Sequence, residues 1–465
     1  MRDFQSESLS HDPIHGYIPF TSMVGLAAGE VAEQQLIDHP WLQRLRQIHQ
    51  LQTAWWVFPT AEHTRFQHVL GAMHLAGRAV AVLYESLHEV CPDVPSRGYV
   101  ESLMRVAALL HDVGHGPFGH FFDEHFLAEY GLNHELLGSE IIRRDLADLI
   151  RRIRRNPSHR LEPGETLDPE QICFLITRPK GNGDEGPQWL RFLRSLFSGL
   201  YTVDNMDFVL RDAYMSGYST KAFDLDRLLR YSAFTEKGLT VHERGLSALV
   251  RFISVRAELF RAIYFHRTVR AIDLELQDLF FDSKRFLFPG NPLEHLDQYQ
   301  RLTEWSLLMD VTRWSDSEDP TLRALGDRWH RLFIRQHRWK MACEQTLFFN
   351  PGEPERSSVF SSAATFEAAI REALPAELKN MPLRVDTARH VHRPGAHTPA
   401  AGQNFLFDPA SGKIHNLDAR ELFRRIAISY RICRIYAEDH KHNAELASAM
   451  DQLTRAGGAD DATNM

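Results

Sequence analysis

Residues 109–117 read Leu-Leu-His-Asp-Val-Gly-His-Gly-Pro. An apolar run stops on a histidine and an aspartate side by side. Adjacent side chains on a helix point about 100° apart, so such a pair grips one ion only where the helix ends. The glycines that follow let the chain turn sharply. A buried Asp next to a His is costly unless a cation or donors compensate it. Two further ligand types stand elsewhere. His68 sits in Arg65-Phe-Gln-His68, and Asp204 in Thr202-Val-Asp204-Asn205. Together His68, His111, Asp112 and Asp204 offer two imidazoles and two carboxylates. That set suits one divalent ion (Mn, Fe, Mg, Ni or Zn) with open positions for water or phosphate. It is unlike a closed structural zinc site, which would usually use thiolates.

The elements that must carry these residues are mostly helical. Apolar residues recur at helical spacing from Gly25 to Gln52, interrupted by Pro40, with Asp38 placed to cap the second piece. Long helices are expected over Val69–Val90, Val100–Asp112, Asn133–Ile153, Leu190–Tyr214 and Leu246–Phe281. Asp12-Pro-Ile-His-Gly16 reads as a turn into an extended piece, Tyr17–Thr21. A small hairpin is expected at Thr235–His242, and strand-turn-strand at Phe405–His415, followed by a helix from Arg420 to Glu438. Thr177–Pro187 is a loop. The expected fold is mainly α: a helical core over residues 1–340, a smaller mixed α/β region over 341–455 and a disordered tail over 456–465.

Composition narrows the class. The chain has 465 residues, ample for a large core. Its charge of −8 excludes a generally basic nucleic-acid coat, although a local basic groove remains open. Arg143-Arg144 and Arg151-Arg152-Ile153-Arg154-Arg155 read as a solvated helix surface, with a phosphate or single-strand contact as the alternative. The four cysteines (Cys91, Cys173, Cys343, Cys433) form no Cys-x-x-Cys pair, which suits a reducing compartment. With neither a membrane-length apolar run nor a basic-then-apolar leader, the expected location is the cytoplasm, with no membrane partner. Histidine is the outlier, at 25 residues, nine of them between His63 and His134.

The ordered series His68, His111-Asp112, Asp204, with a Gly-His-Gly-Pro exit from the helix, resembles the HD-domain phosphohydrolases. More narrowly it is similar to the deoxynucleoside triphosphate (dNTP) triphosphohydrolases. Asp12-Pro-Ile-His-Gly16, Gln43-Arg-Leu-Arg46, Val57-Phe-Pro59, His134-Glu135, Arg211-Asp212 and Tyr264-Phe-His266 fall in that family's order. The resemblance implies metal-dependent cleavage between deoxyribose O5′ and the α-phosphorus, releasing deoxynucleoside and inorganic triphosphate. It implies that His134 is the general acid, with Glu135 orienting it, and that Asp112 also holds the attacking water. It places His115, His120, Arg65, Arg256 and Arg267 near phosphate or sugar. Gln50 and Leu51 fall at the sugar and base wall, Asp212 at the 3′-hydroxyl and Tyr264 against the sugar 2′ carbon. Asp38, Gln43 and Arg46 match positions that read a guanine activator (GTP or dGTP) between subunits, which implies a homo-oligomer, a dimer or tetramer.

Two positions depart from the family pattern. Asn205 stands where a triphosphate-binding lysine is expected, and Phe208 where a tyrosine lies near the sugar. Losing a cation and a hydroxyl weakens triphosphate recognition, unless Lys221 or an arginine of another subunit substitutes. Two other readings therefore stay open. One is an HD nucleotidase or phosphodiesterase acting on shorter nucleotides or single-stranded nucleic acid ends. The other is a nucleotide-sensing regulator.

Overall fold

The computed structural model describes residues 4–178, 186–349, 359–391, 404–417 and 429–463. The chain divides into two compact units. The first comprises residues 1–259, 285–309 and 396–423, the second residues 260–284, 310–395 and 424–465. This division does not follow the expected boundary at residue 340.

The first unit is built on Arg97–Leu110, a helix buried along its whole length from Gly98. Ser96 starts it by accepting from the Tyr99 N–H at 3.2 Å. Arg65–Val90 packs alongside, turning Phe66, Val69, Met73, Ala76, Val80 and Leu83 into the core. Its start is fixed by the Gln67 side chain, which accepts from the Thr64 N–H at 2.9 Å. Val203–Met215 lies against Arg65–Val90 and begins where Thr202 Oγ1 accepts from the Asn205 N–H at 2.9 Å. His134–Ile141 is capped by Asn133, whose Oδ1 accepts from the Leu136 N–H at 2.9 Å.

Before these helices comes an antiparallel hairpin of β1 (Glu7–Asp12) and β2 (Gly16–Thr21), with Asp12 facing Gly16 across the turn. The extended piece expected at Tyr17–Thr21 is thus the second arm of a hairpin. Asp38 does not cap the helix it precedes. His39 does, its Nδ1 accepting from the Trp41 N–H at 3.3 Å, while Asp38 ends the helix Glu33–Ile37. The expected helix Leu190–Tyr214 is two helices, Gln188–Arg194 and Val203–Met215, separated where Ser198, Gly199 and neighbours leave helical pairing. The hairpin β3 (Ser232–Thr235) and β4 (Gly238–His242) gains a second one, β7 (Phe405–Asp408) and β8 (Lys413–Asn416), by parallel pairing of β4 with β7. A segment from the tail half therefore completes a sheet of the first unit.

The second unit contains a three-stranded antiparallel sheet in the order β5 (Lys340–Phe349), β9 (Ser429–Ala437), β6 (Leu383–Val391). The helix expected over Arg420–Glu438 is overturned across Ser429–Ala437. There Ile432, Cys433 and Ile435 are buried in a central strand, and residues 418–428 lie outside the described residues. Helices Ala363–Ala373 and Asn443–Thr463 cover the sheet around Phe366, Ile370, Leu446 and Met450. Asn443–Thr463 also runs through most of the tail expected to be disordered.

The basic run forms an exposed face whose arginines pair within the chain. Arg143 pairs with Glu140 and Glu170, Arg144 with Glu140 and Arg151 with Asp148. Arg152, Arg154 and Arg155 donate to the carbonyls of Gly29, Glu162 and Val24. Among the described residues no helix is long and apolar enough to cross a membrane.

Candidate metal centre

Three helices and one loop of the first unit bring His68, His111, Asp112 and Asp204 together. His68 projects from the first turn of Arg65–Val90, and His111 and Asp112 follow the end of Arg97–Leu110. Asp204 is the second residue of Val203–Met215. His68 Nε2 and His111 Nε2 are 3.3 Å apart. Asp204 Oδ1 lies 3.1 Å from the first and 3.7 Å from the second, and Asp112 Oδ1 lies 3.3 Å from His111 Nε2.

The far side of each ring settles the tautomer. His68 Nδ1 donates to Asp207 Oδ2 at 2.8 Å, and His111 Nδ1 to the Ala108 carbonyl at 2.7 Å. With both rings neutral, the two Nε2 lone pairs face each other, the donor arrangement that a cation between them would use. Two neutral imidazoles and two carboxylates fit a divalent ion. The same field favours positive charge on the rings. Burial opposes it, but bonds to Asp204 and Asp207 prevail and raise the His68 pKa to about 10. Burial would raise the Asp204 pKa, but the bonds to His111 and His68 outweigh it and hold the carboxyl well below the usual carboxylate range.

Beside this quartet stands a second group of His115, His120, Asp123 and His134. The His115 and His134 rings stack at 3.8 Å between centroids. His134 Nδ1 donates to Asp123 Oδ2 at 2.5 Å, and His120 Nδ1 reaches the same oxygen at 3.3 Å. Buried His115 lies between carboxylates, 3.4 Å from Asp112 and 3.7 Å from Asp123. Burial, with His115 adding to it, lowers the His134 pKa although Asp123 pulls the other way. Sequence reasoning missed Asp123, which stands in an unremarkable Phe122-Asp123-Glu124. The expected orienter, Glu135, instead binds Arg178, with its oxygens 3.0 Å from that residue's N–H and 3.1 Å from its Nε.

The loop that places His115 is clamped from behind. Buried Arg44 donates to the carbonyls of Val113 and His115 and to that of Leu302. Gly114 permits the close approach of the next helix, since a Cβ there would stand 2.1 Å from the His134 carbonyl oxygen.

The remaining expected residues divide. Arg65 is in the cluster, buried, with Nη1 donating to Asp112 Oδ2 at 2.6 Å. Its guanidinium is thus partly committed to a metal-ligand candidate rather than wholly free for phosphate. Arg256 is buried and feels Asp204, and Nη1 donates to the Leu200 carbonyl at 3.0 Å. Asp212 accepts from His63 Nε2 at 2.7 Å. Leu51 is buried, and the Gln50 Oε1 is enclosed without a hydrogen-bond partner among the described residues. Phe208 is half-buried one turn beyond Asp204, and Lys221 is exposed. Asp38 and Arg46 are exposed, with Arg46 lying over the Phe66 ring at 3.7 Å and donating to Gln43. Tyr264 and Arg267 belong to the second unit, where Tyr264 stacks on Phe260 and the Arg267 carbonyl accepts from Tyr436.

Residues 65–175, which hold His68, His111 and Asp112 together with the second group, match the HD domain family model. The chain is 28% identical over 449 residues to the uncharacterized protein YwfO of Bacillus subtilis, spanning 94% of this chain and 91% of that one. It is 30% identical over 363 residues to the deoxynucleoside triphosphate triphosphohydrolase SAMHD1 of Gallus gallus, and 26% identical over 325 residues to the SAMHD1 homolog of Dictyostelium discoideum. It spans 54% and 57% of those two, about half of their length. A crystal structure of a hypothetical protein from Aquifex aeolicus superposes with a TM-score of 0.67 at 23% identity, covering 96% of this chain and all of that one; it shares the fold.

Proposed function

We propose, from the premise that this chain belongs to the HD-domain family and to its dNTP triphosphohydrolase-like members, that it hydrolyses dNTPs to deoxynucleoside and inorganic triphosphate. The observation that carries this reading is the pair of imidazole Nε2 atoms facing each other at 3.3 Å with Asp204 and Asp112 beside them, next to a separate histidine group built on Asp123.

His68, His111, Asp112 and Asp204 would hold one divalent ion, which when bound supplies Lewis acidity and a water of lowered pKa. The chain's own residues supply the rest. Water adds to the α-phosphorus while the bond to O5′ breaks, and the departing alkoxide needs a proton. His134 is the donor, its ring held by Asp123 through Nδ1 so that Nε2 is the atom free to deliver. Its lowered pKa leaves it neutral in isolation, and a polyphosphate beside it draws a proton onto it. Arg65 and Arg256 supply local positive charge in a chain whose total is negative. Gln50 and Leu51 line the sugar and base, and Asp212 takes the 3′-hydroxyl. Asp38, Gln43 and Arg46 read a guanine nucleotide at a subunit boundary of a homo-oligomer acting in the cytoplasm.

Asn205 favours a second reading, a nucleotidase or phosphodiesterase acting on shorter nucleotides, because the position carries no cation. The deciding experiment incubates the protein with each dNTP, NTP and dNMP plus Mn²⁺ or Mg²⁺, with and without GTP. Triphosphate formed from dNTPs supports the main reading. Phosphate from dNMPs, with no triphosphate from any dNTP, overturns it in favour of the second.

A further inference from the structure

The turn between β1 and β2 lies far from His68 in sequence, yet it ends on the same carboxylate. Asp207 is wholly buried and accepts four hydrogen bonds. Two come from histidines: His68 Nδ1 at 2.8 Å and His15 Nε2 at 2.7 Å. Two come from Arg211, whose Nε and Nη2 donate at 2.9 Å each. Arg211 Nη1 continues to Asp12 Oδ2 at 2.7 Å. The other oxygen of Asp12 accepts from the backbone N–H groups of Ile14 and His15, at 2.9 Å each, so it shapes the turn that aims His15. The network closes on itself: turn, His15, Asp207, Arg211, Asp12, turn.

Its packing leaves no slack. A Cβ on Gly71, one turn after His68 on the same helix, would stand 1.9 Å from Asp207 Oδ1 and 2.4 Å from Arg211 Nη2. One helix thus presents Asp204 toward the quartet and Asp207, three residues on, to the back of a ring in that quartet. A buried carboxylate with every lone-pair direction occupied has one orientation available. The proton on His68 Nδ1 and the aim of its Nε2 follow from that orientation.

We infer that the Asp12–Gly16 turn is part of the metal centre: His15 and Asp12 are positioning residues that fix His68 through Asp207, and metal binding and hairpin docking are therefore coupled. This rests on the metal reading given above. Partners behind a metal-ligating histidine affect metal affinity by roughly 10–100-fold. Coupling between two sites is reciprocal, so the ion must in turn steady the hairpin.

The test measures Mn²⁺ affinity of the full chain by chelator competition, without any turnover assay. His111→Ala is expected to abolish tight binding. His15→Leu, which removes a donor without touching the quartet, is expected to weaken binding about 10–100-fold. His15→Gln, whose amide keeps an N–H near Asp207, is expected to recover much of that loss. In wild-type protein, hydrogen exchange of the amides of residues 12–18 is expected to slow on adding Mn²⁺, a readout that needs no variant to fold. Wild-type affinity in His15→Leu beside a null His111→Ala overturns the coupling alone, as does exchange at 12–18 that ignores Mn²⁺. Full binding by His111→Ala overturns the metal reading and the coupling with it.

Discussion

Replacing Asp123 by Asn separates charge from shape at the proton donor. The amide oxygen of Asn can still accept from His134 Nδ1, where the carboxylate now does at 2.5 Å, so the ring keeps its seat. The negative charge is lost. That charge is what opposes burial and His115 in setting the His134 pKa, so the imidazolium form becomes harder to reach. Positioned acid catalysis contributes about 10²–10⁴ in rate, or about 3–5 kcal/mol at ~1.4 kcal/mol per decade. Asp123→Asn is therefore expected to lower kcat by about 10²–10⁴-fold. Bound metal, measured by elemental analysis, should stay at the wild-type level, since Asp123 contributes nothing to the quartet. Glu135→Gln is the matched control. Glu135 engages Arg178 and not His134, so its loss should leave kcat nearly unchanged. A wild-type kcat in Asp123→Asn, or a large loss in Glu135→Gln instead, would refute the assignment.

Two more expectations concern the scaffold. Gly114→Ala puts a methyl 2.1 Å from the His134 carbonyl and 2.6 Å from the Gly138 nitrogen. Overpacking of this kind costs about 1–3 kcal/mol, so the variant should unfold at lower denaturant and turn over more slowly; unchanged midpoint and rate would show that the helix yields freely. His49 is buried and donates to Glu304 at 2.8 Å with Glu62 at 3.2 Å, near the Trp55 ring that stacks on it. Burial lowers its pKa, but the two carboxylates overcome this and raise it. A raised folded pKa gives stability that is complete below the unfolded value of about 6.5 and drains as pH rises through the folded one. Wild-type stability should therefore fall with rising pH above neutrality more steeply than that of His49→Gln; parallel pH profiles would contradict this.

The quartet was legible because helix punctuation and ligand chemistry are local. His111-Asp112 had to sit at a helix end, and the Gly-His-Gly-Pro exit marked that end. Asp123 was invisible for the opposite reason. Nothing in Phe122-Asp123-Glu124 distinguishes it, and only the packing of the His134 helix onto Gly114 brings His134 to it rather than to its neighbour Glu135. The family resemblance places Arg65 near phosphate. Its pairing with Asp112 is a tertiary fact with no trace in spacing. The strand Ser429–Ala437 reads as helix in the sequence because Arg431 and Arg434, three residues apart, break its apolar residues at a helical spacing, and periodicity alone does not separate such a stretch from a buried helix. Likewise, β4 with β7 is a parallel pair formed across more than a hundred residues, beyond any local signal.

The most direct measurement follows the water oxygen. The metal-loaded protein is given a dNTP in H₂¹⁸O, and products are resolved by mass spectrometry. One ¹⁸O is expected in inorganic triphosphate, on the former α-phosphate, with an unlabelled deoxynucleoside. Label in the nucleoside, or pyrophosphate or orthophosphate as the first inorganic product, would contradict it.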